Sequence, residues 1–239
     1  MVTPDSEAEK EEKASYAFIC EFFTTAKKKH RHEMIKMLKE RVQQFCYHRD
    51  GSCVGKYCIL YGNEKQLEII VKSFKDTVVK AVKDVFAQNV ILSIFDYVDH
   101  VELINNYITK EIGENIGEII FDNYGQCVLQ HIIDRLNYPH STTDERLKKD
   151  DENKHFERYR QIFDALKKPL LSFIAANMEE LLFSNITSTL VLNVLEPESE
   201  NEIFKNDIDV EYKAECFQAI ANLVGKEFIP GTYNNNNIS

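Results

Sequence analysis

The sequence predicts an all-α protein, built as an α-solenoid of about four three-helix repeats followed by part of a fifth. Eight glycines and five prolines in 239 residues favour helices joined by short loops over a sandwich or barrel. Apolar residues recur at helical spacing, as in the stripe Val90, Ile91, Ile94, Phe95 and Val98. Related segments also return every 36 to 38 residues, which is typical of a helical repeat array.

The repeats align on a small residue that precedes a helix. Gly51, Ala87 and Gly125 coincide in this alignment, at intervals of 36 and 38 residues. Apolar positions then fall into five matching sets: Val42, Val78 and Ile116; Cys46, Val82 and Ile120; Val54, Val90 and Val128; Cys58, Ile94 and Ile132; Ile59, Phe95 and Ile133. No unit can bury its apolar stripe alone, so we expect neighbouring units to stack into one continuous core.

The predicted organisation has five parts: a disordered acidic leader (1–13), repeats 1 to 3 (14–137), a charged insertion or loop (138–157), divergent C-terminal repeats (158–231) and a disordered Asn-rich tail (232–239). The fourth unit places Ile186 at the Gly125 position. A helix over residues 211–224 opens the incomplete fifth unit. An array that stops there exposes an uncapped apolar face, so the chain is interpreted as a fragment or as one with an unusual cap.

Composition excludes several classes of protein. No apolar run approaches the roughly 18 residues of a membrane-spanning helix, and the acidic N-terminus does not have the pattern of a signal peptide. Six cysteines in a chain of this length do not make a disulfide scaffold. We therefore expect reduced thiols in the cytoplasm or nucleus, and no membrane partner.

The net charge of −10 conceals an uneven distribution along the chain. Residues 26–85 contain 14 Lys or Arg and 7 Asp or Glu, a local charge of +7, so the remainder carries −17. A basic segment of this kind can meet phosphates. The alternative is that these side chains form an ordinary solvated face of the helices.

One segment resembles the core helix of a Pumilio (PUF) repeat, namely residues 122–133 (DNYGQCVLQHII). Residues 22–75 and 90–112 are similar to the Puf-A/Puf6 (Penguin-like) branch of that family, including the run FDYVDHVELI and the turn HRDG. The resemblance covers residues 16–224, and its last part falls in the C-terminal (CPL) region of the family. It implies a curved or L-shaped array of PUF-like repeats that binds RNA or DNA with little sequence preference. It further implies a nucleolar protein of large-subunit ribosome biogenesis.

The resemblance also implies that each repeat presents three side chains of its second helix to one base, two at the base edge and one for stacking. These base-facing positions are Ser52, Cys53 and Lys56; Gln88, Asn89 and Leu92; Gln126, Cys127 and Gln130; and Thr187, Ser188 and Val191. None of the four stacking positions carries an aromatic ring or an Arg plane. Only Gln126 and Gln130 retain two amides for one base edge. One partial reader in four repeats cannot specify a sequence.

The phosphate backbone is therefore the expected target if RNA binds. The candidates are basic side chains of the first two units: Lys27, Lys28, Lys29, Arg31, Arg49, Lys56, Lys72, Lys75, Lys80 and Lys83.

Four residues within the first unit invite a comparison with zinc sites: Cys46, His48, Cys53 and Cys58. Cys46 and Cys58 occupy register positions that hold Val or Ile in the other repeats. Buried structural thiols are therefore the favoured interpretation.

Residues with catalytic chemistry are scarce and unpaired in the sequence. Asp96 and Asp99 are interpreted as a loop-and-cap element that opens a helix at Val101, and His131 as a surface or packed histidine. No glycine-rich phosphate loop, nucleophile elbow or HExxH motif occurs. We therefore predict no enzymatic activity, no catalytic residues, no cofactor, no metal and no small-molecule substrate.

Two functions remain open at this point. The first is an RNA-binding module with weak specificity, with structured ribosomal RNA or DNA as ligand, in the nucleus or nucleolus. The second is a protein-binding scaffold in ribosome assembly, in which the acidic C-terminal repeats dock a basic pre-ribosomal protein; the −17 remainder motivates it.

The base-facing chemistry generates a prediction for the double variant Gln126→Ala, Gln130→Ala. We expect its sequence preference in a random-pool RNA selection to match that of the parent, because the other repeats cannot read base edges. A defined motif that the parent selects and the double variant loses would contradict weak specificity.

Overall fold

The computed structural model describes the backbone of residues 7–133, 152–195 and 210–225, and the side chains of residues 14–133, 156–195 and 212–225. Within these ranges the chain forms fifteen α-helices, one π-helical turn and no strand. The predicted all-α solenoid is therefore confirmed.

Most helices group into units with a first, a second and a third helix, in which the second is short. The helices are α1 (Glu7–Thr25), α2 (Lys28–Leu38), α3 (Val42–Phe45), α4 (Arg49–Tyr61), α5 (Glu64–Ser73), α6 (Val78–Val82), α7 (Gln88–Tyr97), α8 (Val101–Ile104), α9 (Lys110–Glu114), α10 (Ile116–Ile119), α11 (Asn123–Ile133), α12 (Glu152–Ala176), α13 (Met178–Phe183), α14 (Ser188–Leu195) and α15 (Val210–Val224). Unit 1 is α2 to α4 and unit 2 is α5 to α7. Unit 3 runs from α8 through the π-helical turn (Asn105–Thr109) and α9 to α10 and α11, and unit 4 is α12 to α14.

The third helices stack in a row that forms the spine of the array. Helix α4 packs on α7, α7 on α11, and α11 on α14. Helix α1 packs on the free side of α4, so it takes the place that a preceding third helix would take. Helix α15 packs on α12 and α13, the first two helices of unit 4.

The predicted register describes the core correctly. Every member of the five aligned apolar sets is buried, with Val90, Ile94 and Phe95 fully removed from solvent. Val128, Ile132 and Ile133 of the next third helix are buried as well. Burial of one apolar stripe against its neighbours is what holds successive units together.

The small residue on which the repeats align is needed because the backbone of the second helix comes close to the third helix at this position. A Cβ atom on Gly51 would lie 2.0 Å from the carbonyl oxygen of Phe45, and one on Gly125 would lie 2.6 Å from that of Ile119. In both units the oxygen belongs to the last residue of the second helix. The turn between the second and third helices therefore leaves little room for a side chain.

Two aspartates outside the predicted sites accept backbone amides where third helices begin. Asp84 and Asp122 stand three residues before Ala87 and Gly125, and each Oδ1 accepts the backbone amides two and three residues on, at 2.8 to 2.9 Å. The signal was present in the alignment, since a short carboxylate just before a helix is a typical cap. Unit 1 has His48 at this position, without a side-chain cap.

Two predicted boundaries are corrected. Helix α1 begins at Glu7, so the disordered leader predicted over residues 1–13 is wrong for residues 7–13, whose Glu, Ala and Lys are good helix formers. Helix α12 begins at Glu152, inside the predicted insertion. The rest of that insertion and the predicted Asn-rich tail lie outside the described residues. The predicted helix of the fifth unit is found as α15, on which Phe217 is exposed.

Helix α12 is attached to units 2 and 3 through buried polar side chains. The Tyr159 hydroxyl donates to Asp96 Oδ1 at 2.7 Å. The hydroxyl oxygen of Tyr159 also lies 2.9 Å from His131 Nε2. Arg158 donates to the Asp96 carbonyl and to the Asp99 carboxylate. Asp96, His131, Arg158 and Tyr159 are all buried, so they satisfy one another in place of water.

This network corrects the interpretation of Asp96 and Asp99 as a loop-and-cap element. The residue that caps α8 is His100, whose Nδ1 accepts the Leu103 amide at 3.0 Å. Asp96 instead lies on α7 and faces inward. Its partners on α12 come from the other side of the charged insertion, a pairing that helical spacing cannot reveal. His131 is a packed histidine, one of the two predicted outcomes.

The core generates a stability prediction for Phe95→Ala. Truncation of this fully buried ring should lower the free energy of unfolding by about 3–5 kcal/mol through lost burial and a cavity. Chemical denaturation followed by circular dichroism measures the change. The control is Phe18→Ala, because Phe18 is 68% exposed and should change stability little. Equal midpoints for the parent and Phe95→Ala would contradict the burial assignment.

The buried network generates a second stability prediction. Tyr159→Phe removes one hydroxyl that bonds both Asp96 and His131, and we expect a loss of about 1–3 kcal/mol because buried polar partners are left unpaired. Tyr124→Phe is the matched control, since Tyr124 is exposed. If both substitutions change the denaturation midpoint equally, the network does not stabilise the fold.

Candidate nucleic-acid interface

The base-facing positions lie along the third-helix row, and half of them are buried. The buried members are Ser52, Leu92, Gln126, Gln130, Thr187 and Val191. Cys53, Lys56, Gln88, Asn89 and Ser188 are partly exposed, and Cys127 is exposed. The two amides with the best chemistry for reading a base edge, Gln126 and Gln130, are only 8% and 6% exposed.

Several of these side chains already donate hydrogen bonds to backbone carbonyls. Ser52 Oγ donates to the Arg49 carbonyl at 2.9 Å, and Thr187 Oγ1 donates to the Leu181 carbonyl of α13 at 2.6 Å. The Asn89 amide donates to two carbonyls of the preceding turn. Gln126 donates across the stack to the Ile186 carbonyl, which joins α11 to the turn before α14. A base edge would have to displace these hydrogen bonds before it could be read.

The basic candidates, in contrast, remain at the surface. Seven are exposed: Lys27, Lys28, Lys29, Arg49, Lys72, Lys75 and Lys80. Arg31, Lys56 and Lys83 are partly exposed. The prediction that these residues contact phosphates is untested by their placement alone, but their positions leave them accessible to a ligand.

The start of α2 concentrates positive potential. Lys27 is the N-cap residue and makes no side-chain capping hydrogen bond, and the first turn contains no acidic residue. Lys28 and Lys29 follow directly and are exposed. The free amides and the helix dipole at this end add to the charge of the three lysines, an arrangement that favours an anionic ligand.

Some of the candidate cations already have intramolecular partners. Lys72 pairs with Glu68 and Lys83 with Glu118, each at 2.5 Å; the hydrogen bond with Glu68 raises the pKa of Lys72. Lys80 Nζ lies 4.3 Å from the centre of the Tyr47 ring, and the Arg31 guanidinium lies 4.1 Å from that of Tyr61. Ion pairs at an exposed surface contribute at most about 1 kcal/mol, so a phosphate can replace the carboxylate at little cost.

The cysteines of the first unit differ in their burial. Cys46 and Cys58 are buried as predicted, and burial raises the pKa of both thiols, that of Cys46 to about 12. The interpretation as a buried thiol is wrong for Cys53, which is partly exposed. Among the described residues, no group of three or more His, Cys, Asp or Glu side chains is placed to hold a metal ion.

The described helices include none with the combination of length and apolar character that a bilayer crossing requires.

Comparison with known proteins connects the fold to a family. Residues 119–238, half of the chain, match the CPL (NUC119) domain family. Over 226 residues the chain is 29% identical to Pumilio domain-containing protein 12 of Caenorhabditis elegans, a match that covers 90% of this chain and 29% of that relative. The chain therefore spans less than a third of the length of this curated relative.

Two crystal structures are similar in fold. Human Puf-A superposes with a TM-score of 0.78 at 25% identity, over 92% of this chain and 42% of that one. Human Puf-A in complex with DNA superposes with a TM-score of 0.76 at 24% identity, over 90% of this chain and 42% of that one.

Proposed function

We propose that this chain, which belongs to the CPL (NUC119) domain family and to the Puf-A/Puf6 branch of the Pumilio proteins, binds nucleic acid through the phosphate backbone with little sequence preference. The observation that carries the proposal is a contrast between two sets of side chains. The base-facing positions are largely buried or bonded to their own backbone, whereas the basic side chains of the first two units remain exposed.

Electrostatics supply the affinity in this proposal. The segment 26–85 carries a charge of +7, and the start of α2 adds free amides to three exposed lysines. Each phosphate that these groups neutralise releases condensed counterions, which favours binding independently of sequence. Human Puf-A has been crystallised in complex with DNA, and we propose RNA or DNA as the ligand class here.

Sequence discrimination is weak because the groups that would supply it are withdrawn from solvent. Leu92 and Val191 are apolar and buried, and Gln126 is engaged with the Ile186 carbonyl. The amide oxygens of Gln88 and Gln130 are buried without a hydrogen-bond partner among the described residues, so these two base-facing positions keep an unused acceptor. One amide acceptor in each of two repeats distinguishes few bases.

We further propose structured ribosomal RNA as the ligand, large-subunit ribosome biogenesis as the process and the nucleus or nucleolus as the location. These assignments rest on the resemblance to the Puf-A/Puf6 branch. The role is one of binding and not of catalysis, because the sequence contains none of the nucleophile or metal motifs discussed above.

A protein-docking scaffold is the second candidate function. The chain outside residues 26–85 carries −17, and exposed apolar side chains occur on unit 4 (Phe183 and Leu192) and on α15 (Phe217). Negative charge together with exposed apolar side chains suits a basic protein partner. Salt-dependent RNA binding separates the two candidates.

The test is RNA binding at two or more salt concentrations by two variants. One replaces Lys27, Lys28 and Lys29 with Gln, and the other replaces Lys72, Lys75, Lys80 and Lys83 with Gln. Glutamine removes charge without placing a new carboxylate beside Glu68 or Glu118. We expect weaker binding of every RNA sequence tested, with the slope of log affinity against log salt flattened by about 0.7 to 0.9 for each lost contact.

The matched control replaces Lys110 and Lys168, two exposed lysines outside the basic segment, with Gln. It should leave affinity and slope near those of the parent. Circular dichroism confirms that each variant keeps its helices. If both basic-segment variants bind RNA with unchanged affinity and slope, the backbone-binding proposal fails and the docking scaffold becomes the better explanation.

A further inference from the structure

Helices α1 and α4 bring two cysteines face to face. Tyr16 and Phe23 mark the turns of α1 on either side of Cys20: the Tyr16 ring lies 6.3 Å from that of His48, and the Phe23 ring lies 5.7 Å from that of Tyr57. On α4, the residues between those two partners include Cys53, one turn before Tyr57. The packing register therefore places Cys20 opposite Cys53.

Hydrogen bonds agree with this register. Cys20 Sγ donates to the Asp50 carbonyl at 3.6 Å, which lies one turn before Cys53 on the same side of α4. The thiols of Cys20 and Cys53 are also close enough for each to shift the pKa of the other. Both side chains are partly exposed, so a small solute can reach them.

The surroundings shift the pKa values of the two thiols in opposite directions. The hydrogen bond from Cys20, together with the charge of Lys56 and a hydrogen bond with Tyr57, lowers the pKa of Cys53 to about 7, against the opposing effects of burial and Asp50. The same contact with Cys53, together with burial, raises the pKa of Cys20. Cys20 Sγ donates its proton to the Asp50 carbonyl, whereas Cys53 stands three residues before Lys56 on α4. Cys53 is thus the nucleophile, because the thiolate is the reactive form, and Cys20 holds the proton.

The other described cysteines lack this combination. Cys46, Cys58 and Cys216 are buried. Cys127 is exposed, but burial of its sulfur and the charge of Asp122 raise its pKa. Reactivity toward an oxidant follows both thiolate character and access, and Cys53 is the described cysteine that combines the two.

We propose that Cys20 and Cys53 form a redox-active dithiol that hydroperoxides convert to an intramolecular disulfide. In the first step the Cys53 thiolate attacks one oxygen of hydrogen peroxide. A sulfur–oxygen bond forms, the oxygen–oxygen bond breaks, and the departing hydroxide takes up a proton to become water. In the second step Cys20 attacks the sulfur of the Cys53 sulfenic acid. The disulfide forms, the sulfur–oxygen bond breaks, and the proton of Cys20 leaves with that oxygen as a second water.

The disulfide would tie α1 to the first complete unit. In the reduced chain α1 is held on α4 by packing and by the contacts just described. A covalent link between residues 20 and 53 restricts the unfolded chain, so oxidation should raise the thermal midpoint. This inference is independent of the proposed nucleic-acid binding, and its test uses no nucleic acid.

The test is treatment of the full chain with hydrogen peroxide, followed by free-thiol titration, intact mass and peptide mapping under non-reducing conditions. We expect the loss of two thiols, a mass decrease of two hydrogens, and a cross-linked peptide pair that contains Cys20 and Cys53. The reduced and oxidised forms should differ in thermal midpoint, and dithiothreitol should restore the reduced form.

Single variants separate the two roles. Cys20→Ser should stop at the sulfenic acid of Cys53, which dimedone traps, and Cys53→Ser should form neither product at the same peroxide dose. Cys127→Ser is the matched control and should form the disulfide like the parent. The proposal is overturned if folded parent protein yields no Cys20–Cys53 peptide pair, or if Cys127 is oxidised before Cys53.

Discussion

The fold depends on one requirement, that successive third helices cover one another's apolar side chains. The five aligned apolar sets are buried by this stacking. Within units 1 and 3, the last carbonyl of the second helix lies close to Gly51 or Gly125, and this short distance brings the second and third helices together. Helix α1 meets the requirement at the start of the described array by covering α4. The units therefore stabilise one another through nearest-neighbour contacts, as expected of a solenoid.

The same requirement shapes the candidate interface. The third helices that must be buried also carry the base-facing positions, so tight stacking draws Gln126 and Gln130 out of solvent. Gln126 becomes a link between units through its bond to the Ile186 carbonyl. The charged side chains of the first two units are not needed in the core and stay outside. Stability of the stack and the proposed weak base reading thus have one physical origin.

Polar contacts add specificity to an otherwise apolar stack. Asp96, His131, Arg158 and Tyr159 hold α12 in a single position on units 2 and 3, and unpaired burial of any of them would be costly. At the other end of the array, aromatic contacts of Tyr16 and Phe23 and a hydrogen bond from Cys20 hold α1 against α4 and the residue before it.

The sequence by itself determined the all-α class, the unit length, the buried register and the helix of the fifth unit, because each of these follows from periodic spacing along a single helix or from its repetition. Only the tertiary structure decided that Asp96 meets Tyr159, that Cys20 meets Cys53, and that the Gln126 amide is occupied. These contacts join residues 33 to 63 positions apart. The spacing of residues along the sequence determines which face of a helix a side chain occupies. What lies opposite that face is determined by how the helices pack.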